Sequence, residues 1–565
     1  MNFIQDYTAV GNKLSLTALV ALIPILYFFW ALAIKRMKGY MAGITTLLVA
    51  MVVSVIAFNM PVVTAVMSAS QGAVYGLMPI GWIIVTSVFL YKLTVKTGQF
   101  DIIRHSVLSI SEDRRIQVLL VAFSFGAFLE GAAGFGAPVA ISAALLVGLG
   151  FNPLYAAGLC LFANTAPVAF GAIGVPITAM EGPTGIPAIE ISKMVGRQLP
   201  LISVFIPFFL IVIMTGFKKA WEVLPAILVS GISFALTQYL SSNYLGPELP
   251  DVLSALISLF ALAIFMKFWQ PKHIYHFTSK QEIAVAVEAE AEVAYEEEPA
   301  YSGRQVFKAW TPFLILSVCI SLWGIPTIKL ALTGYYEGGN LLLQGVNYLG
   351  KMLTFMPEVP WLHNRIIDGS GNMIAAVYKL EILGAAGSAI FIAALITKFI
   401  LHMSWHLWLE TFKETVNELI YPILTITAVV GFAYVTNASG MSTVLAMALA
   451  KTGALFPFFS PVLGWLGVFI TGSDTSANLL FAKLQQVTAT SIGMDPVLAL
   501  AANSSGGVSG KMISPQSIAV ACAAVGLAGR ESELLRFTIK YSLLLLFLIS
   551  ILTFLQNNVL SWMVP

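Results

Sequence analysis

Twelve stretches of this chain are apolar for about the 20 residues a helix needs to cross a bilayer. They fall near 14–33, 40–59, 70–92, 155–180, 199–216, 222–241, 251–269, 309–330, 383–401, 415–436, 496–515 and 537–562. In hydrocarbon no water satisfies a free peptide group, so segments of this kind fold as helices with their backbone bonds closed internally. The fold class expected is therefore an all-α polytopic membrane protein. Composition agrees: 58% of residues are hydrophobic and 10% charged, against about 25% charged in soluble proteins. The net charge of +2 gives no reason to expect nucleic acid as a partner. The partners expected are the lipid bilayer and a small molecule; the oligomeric state is not legible.

Two further regions, 117–149 and 457–491, each carry two shorter apolar arms around a polar, glycine-rich centre. The centres read GAAGFG from Gly131 and TGSDTSAN from Thr471. Such a tip is stable at membrane depth only where protein or a water-filled cavity lines it, so both regions are expected to be re-entrant hairpins.

The second region echoes the first. Gly131 matches Gly472, Pro153 matches Pro496, Asn164 matches Asn503, Gly171 matches Gly510 and Pro176 matches Pro515, at offsets of 339 to 343 residues. Orientation follows from Lys and Arg, which favour the cytoplasmic side. Lys35, Arg36 and Lys38 set the first loop inside, and loops 60–69 and 242–250, which contain neither, fall outside. By that count span 70–92 runs outward to inward and span 415–436 the reverse. The two copies then form inverted-topology repeats, each with a re-entrant hairpin and a broken transmembrane helix (155–180 and 496–515). Residues 1–269 make the first membrane half and 309–565 the second. The linker 270–308 between them is acidic and cytoplasmic, with seven Glu and no Lys or Arg in 281–300. Residues 331–380 form a long external segment, expected to be partly helical, and 98–112 has the spacing of an interfacial helix.

Broken helices repeated once per half mark transport sites, because the freed backbone groups meet near the midplane. Prolines 167 and 176 each remove a donor and disrupt the preceding turn, and the following half-helix offers its positive end to an anion. The substrate-binding set expected is Gly131, Gly134, Phe135, Asn164, Thr165, Ser473, Thr475, Asn503, Ser504, Ser505 and Lys511. Helix ends at Asn164–Thr165 and Asn503–Ser505 would hold a carboxylate and a hydroxyl, and the hairpin tips would close over them. Glycine and proline also serve plain packing in membrane helices; the matched pair of copies favours function over packing. Glu130 and Asp474 are ionisable residues at membrane depth, where charge is costly and defaults to function, so they are the proton-coupling candidates. Arg197, at a membrane edge, is a weaker substrate candidate.

Other chemistry is not indicated. Cys160, Cys319 and Cys522 lie far apart in apolar runs, with no metal or redox spacing. His402 and His406, in HMSWH, read as a juxtamembrane helix face rather than a metal pair, since no further ligands accompany them. No nucleotide-phosphate motif or catalytic triad is present, which argues against an ATP-driven pump and against an enzyme. No cofactor or metal is expected.

Several long motifs closely resemble the bacterial L-lactate permease family: FLEGAAGFGAPVAI, GLGFNPLYAAGL, NTAPVAFGA, FFSPVLGWLGVF, TGSDTSAN and GKMISPQSIAVACAAVGL. The resemblance runs from the first span to WMVP at the C-terminus. It implies secondary transport of L-lactate, with D-lactate and glycolate, coupled to protons, in the bacterial cytoplasmic membrane as a multi-pass protein. From the residues alone, sodium coupling through the Asn, Ser and Thr at the breaks stays open, and so does a passive carboxylate channel.

Overall fold

A computed structural model describes residues 2–132, 134, 137–276, 301–369, 371–527 and 530–565. The acidic stretch 281–300 and Phe135 lie outside the described residues. The fold is helical throughout, and the few strands are two residues each. Phe3–Ile4 pairs in parallel with Ile366–Ile367, which pairs antiparallel with Met373–Ile374, and Thr354–Phe355 pairs with Leu380–Glu381. All but Phe3–Ile4 lie in or at the edge of the segment expected to be external, which also holds the helix Leu341–Met352.

Eleven helices among the described residues are long and apolar enough to span, or up to twelve if the bent pair Pro153–Ala163 and Val168–Thr184 counts as one. Several are longer than the apolar runs imply. Val62–Lys96 and Trp405–Ser439 have 35 residues each, about 52 Å at 1.5 Å per residue, well beyond a hydrocarbon layer of about 30 Å. Ion pairs tie the two helices together, Lys92 to Glu418 and Lys96 to Glu414. The span expected at 199–216 begins earlier, within Ala188–Thr215. The one at 383–401 is only Ala386–Ile400, 15 residues. Residues 98–112 do form a helix, Gln99–Leu108, with Phe100, Ile103 and Val107 buried along one face.

The hairpins fold back on themselves. Gly126 faces Ser142, and Gly467 faces Ala477; each pair straddles its tip symmetrically, as antiparallel arms require. The arms are unequal, which corrects the expectation of two short arms. Arg114–Ala132 has 19 residues and is buried along its apolar length, whereas Ala137–Gly148 has 12. The second hairpin joins Phe456–Thr471 to Asp474–Ile492 through Gly472 and Ser473. Gly472 sits at φ +71°, where an added Cβ would lie 2.4 Å from Gln516 Oε1. Only a residue without a side chain tolerates both constraints.

The halves embrace reciprocally. The second arm of the first hairpin packs on Pro515–Ala524, and the second arm of the second hairpin packs on Gly171–Thr184. Matched elements making matched contacts is the relation a pseudo-two-fold axis produces. Both second half-helices also start from the matched prolines. Pro515 opens its helix, and regular helix resumes at Val175–Pro176 after three left-handed residues, Ala172, Ile173 and Gly174.

The two breaks differ, which corrects one expectation. The first occupies 164–174: the helix Pro153–Ala163 ends at Asn164, and the axis turns by 63°. In the second copy the helix Pro496–Lys511 runs on without interruption, and the break falls at 512–514. Asn503–Ser504–Ser505 therefore lies inside intact helix. Glycines rather than a break serve that stretch. Gly464, Gly506 and Gly510 bring Phe456–Thr471 against Pro496–Lys511 so closely that a Cβ at any of them would lie 1.8 to 2.4 Å from backbone oxygen of the other helix.

The histidines also part company. His402 lies in a turn at φ +54°, and the helix begins only at Trp405, so the two do not share a helix face.

Candidate substrate site

The break in the first copy exposes Asn164 at the end of its helix, opposite the end of the first hairpin arm. Asn164 Nδ2 donates to Glu130 Oε2 at 2.9 Å. Lys511 Nζ, from the last turn of Pro496–Lys511, donates to Glu130 Oε1 at 2.7 Å. Glu130 is 3% exposed and the Lys511 side chain 12%, so this ion pair between the halves is largely buried. Gly171 makes room for it, since a Cβ there would lie 2.8 Å from Glu130 Oε1. Because Nδ2 is committed to a carboxylate, Asn164 Oδ1 must be the acceptor end, and it is buried without a partner.

A second cluster surrounds Asp474 at the start of the helix Asp474–Ile492, where the helix dipole favours an acid. Ser473 caps that helix, its Oγ accepting from Ser476 N at 3.2 Å. Ser504 Oγ and Asn478 Nδ2 both donate to Asp474 Oδ2, at 2.7 and 3.0 Å, while Oδ1 is buried and unpaired. Thr475 is buried beside it. Asn478 Nδ2 also reaches Pro176 O at 3.0 Å, tying this hairpin to the other half's broken helix. Asn503 Nδ2 donates to Asn478 Oδ1 at 2.9 Å, and Gln485 Nε2 donates to Asn503 Oδ1 at 3.1 Å. Lys511 is near enough to both Asp474 and Asp251 for its charge to act on each.

The expected residues thus divide. Glu130, Asn164 and Lys511 converge, and Asp474, Ser504 and Asn503 form an adjoining network. Gly134, at φ +59°, faces Ala172 in the break, while Gly131 packs against Asp251 and Val252. Thr165 Oγ1 donates to Phe162 O within its own turn. Ser505 points away, donating to Gln198 Oε1 at 2.8 Å. Arg197 lies apart at a chain edge, bonded to Asn243 and to Met563 O. Sequence reasoning missed Asn478, Gln485 and Asp251. The signal for the first two was present as Asp474, Asn478 and Gln485 on one side of a helix, at i, i+4 and i+11. Asp251 stood at the edge of an apolar run.

Chemically, the site offers one cation, carboxylates that outnumber it, and buried acceptors without donors. Buried polar groups are nearly always paired, and the exceptions mark where a ligand or proton belongs.

Comparison with known proteins agrees. A sequence profile described as L-lactate permease matches residues 17–560. The L-lactate permease of Bacillus subtilis (strain 168) is 70% identical over 566 residues, covering all of both chains. Glycolate permease GlcA of Escherichia coli (strain K12) is 53% identical, and that organism's L-lactate permease 50%, each over 99% of both chains. With its apolar helices, this makes the protein a multi-pass bacterial membrane transporter, and the chain belongs to the L-lactate permease family.

Proposed function

We propose that this protein imports L-lactate and related small 2-hydroxymonocarboxylates, D-lactate and glycolate among them, by proton symport across the cytoplasmic membrane. The observation that carries the reading is the largely buried Glu130–Lys511 pair between the two halves, beside the unpaired Asn164 Oδ1. An entering carboxylate takes Lys511 from Glu130. A planar carboxylate on an ammonium forms a charge-assisted bond of the strength the protein's own pair had, so the exchange costs little. Glu130, left buried without its cation, is stable only when neutral. It therefore takes a proton, and one proton accompanies one anion. The 2-hydroxyl donates to Asn164 Oδ1, which accounts for a hydroxy acid rather than a plain one. Asp474, with its free Oδ1, is the second proton candidate, held in place by Ser504 and Asn478. Those names, lactate and glycolate, are also the ones its relatives carry.

The test is uptake of labelled lactate into vesicles with an imposed pH gradient, with Na⁺ or choline outside. The reading expects accumulation that follows the gradient and is indifferent to the cation. Accumulation that follows sodium would replace the proton by Na⁺, and equilibration without accumulation would make the protein a passive channel. Glycolate and D-lactate are expected to compete for uptake, and acetate, lacking the hydroxyl, only weakly.

A further inference from the structure

Asp251 opens the helix Pro250–Phe268 and is 1% exposed, yet both its carboxylate oxygens are buried without a hydrogen-bond partner. No other carboxylate among the described residues has both oxygens buried and unpartnered. It stands directly against the residue that follows Glu130: a Cβ on Gly131 would lie 2.8 Å from Asp251 Cβ. The charged groups facing it are Glu130 and Lys511. Toward the nearer end of the bundle, the connecting loop holds Glu248, with Glu181 and Lys329 close by. Lys511 is already bonded to Glu130, so it balances Asp251 only in part. A buried ionised carboxylate with no donor, beside a cation committed to another acid, is costly to keep.

We propose that Asp251 is a protonated acid at rest and the relay through which the coupled proton reaches Glu130. When the substrate takes Lys511, the O–H bond of Asp251 breaks as one forms on Glu130. Asp251 then takes a proton from water at the end of the bundle that carries residues 242–250. One proton enters at Asp251 and one passes to Glu130, which gives it up to water on the far side when the departing substrate returns Lys511 to it, so no charge is left stranded. Asp251 contacts no substrate in this scheme. Gly131 is required because a side chain there would push the two acids apart. The inference rests on the proton-symport reading above.

The experiment compares two rates in the same vesicles: uptake driven by a pH gradient, and exchange of internal for external lactate, which moves no net proton. For Asp251→Asn the ratio of driven uptake to exchange is expected to fall about tenfold or more, as loss of a positioned proton donor commonly costs. Asp251→Glu, which keeps an acid, is expected to recover much of it. An unchanged ratio in Asp251→Asn, or an equal loss of both rates, overturns the relay. Asp251→Ser gives the same comparison if the amide does not reach the membrane. Failure of the underlying reading looks different, because the unmodified protein itself would then ignore the pH gradient.

Discussion

Gly507 leaves the space that Asp474 uses: a Cβ built on Gly507 would lie 2.1 Å from Asp474 Oδ1. The two residues come from the helix and the hairpin of the same half, and the missing side chain lets a buried acid sit against a helix backbone. Gly507→Ala is therefore expected to displace the carboxylate. Overpacking of this kind costs about 1–3 kcal/mol, and lactate uptake should fall with it. Gly345, in Leu341–Met352, has open space where a Cβ would stand, with nothing within 4 Å, so Gly345→Ala is the control. It should be neutral or slightly stabilising. Thermal unfolding in detergent, alongside uptake, reads both.

In the proposed mechanism Lys511 is the cation that the substrate carboxylate takes. Its replacement by Met removes a charged hydrogen bond worth about 1.5–3 kcal/mol, or roughly 10–100-fold in affinity. Lys511→Met should therefore bind lactate that much more weakly, measured by competition. Lys511→Arg should keep part of the affinity. Wild-type affinity in Lys511→Met would mean the carboxylate is held elsewhere.

The first break is strained. Ala172 and Ile173 lie at φ +46° and +56° ahead of Gly174, a region that costs an L-residue about 1–2 kcal/mol. Ala172→Gly relieves that strain and should raise the unfolding temperature, with a gain of about 1 kcal/mol. Ala172→Val, branched at Cβ, should lower it. If the break must pass through a second conformation during transport, the glycine variant will also change the uptake rate, which a vesicle time course measures.

Far from the site, Arg115 locks the start of the first hairpin. It is 1% exposed. Its guanidinium donates to Asp113 and Glu222, each at 2.8 Å, and to His273 O at 2.8 Å. Removing one partner of a buried pair costs about 3–5 kcal/mol. Arg115→Met should be markedly unstable, and Asp113→Asn combined with it should recover part of the loss. A double-mutant cycle by thermal unfolding tests this.

Most of the architecture was legible because hydrocarbon leaves a chain few options. Apolar length marked the spans, and matched Gly, Asn and Pro marked the repeat. The matched prolines, 176 and 515, are where regular helix resumes in both copies. Glu130 and Lys511 were each conspicuous as charges in apolar surroundings, but their bond spans 381 residues of sequence, and no local pattern encodes such a distance. The stretch Asn503–Ser505 misled for a related reason. Its residues break helices when their side chains bond to their own backbone; here Asn503, Ser504 and Ser505 bond instead to Asn478, Asp474 and Gln198 on other helices, and the helix continues.

By itself, then, the sequence determined that this chain crosses a membrane as helices, in two related halves with interruptions, because unpaired peptide groups and charges are too costly in lipid to occur without purpose. Tertiary structure alone decided which carboxylate meets the lysine, which asparagine keeps a free oxygen, and that Asp251 stands beside them. Those choices depend on close approach between helices remote in sequence, which glycines permit but do not specify.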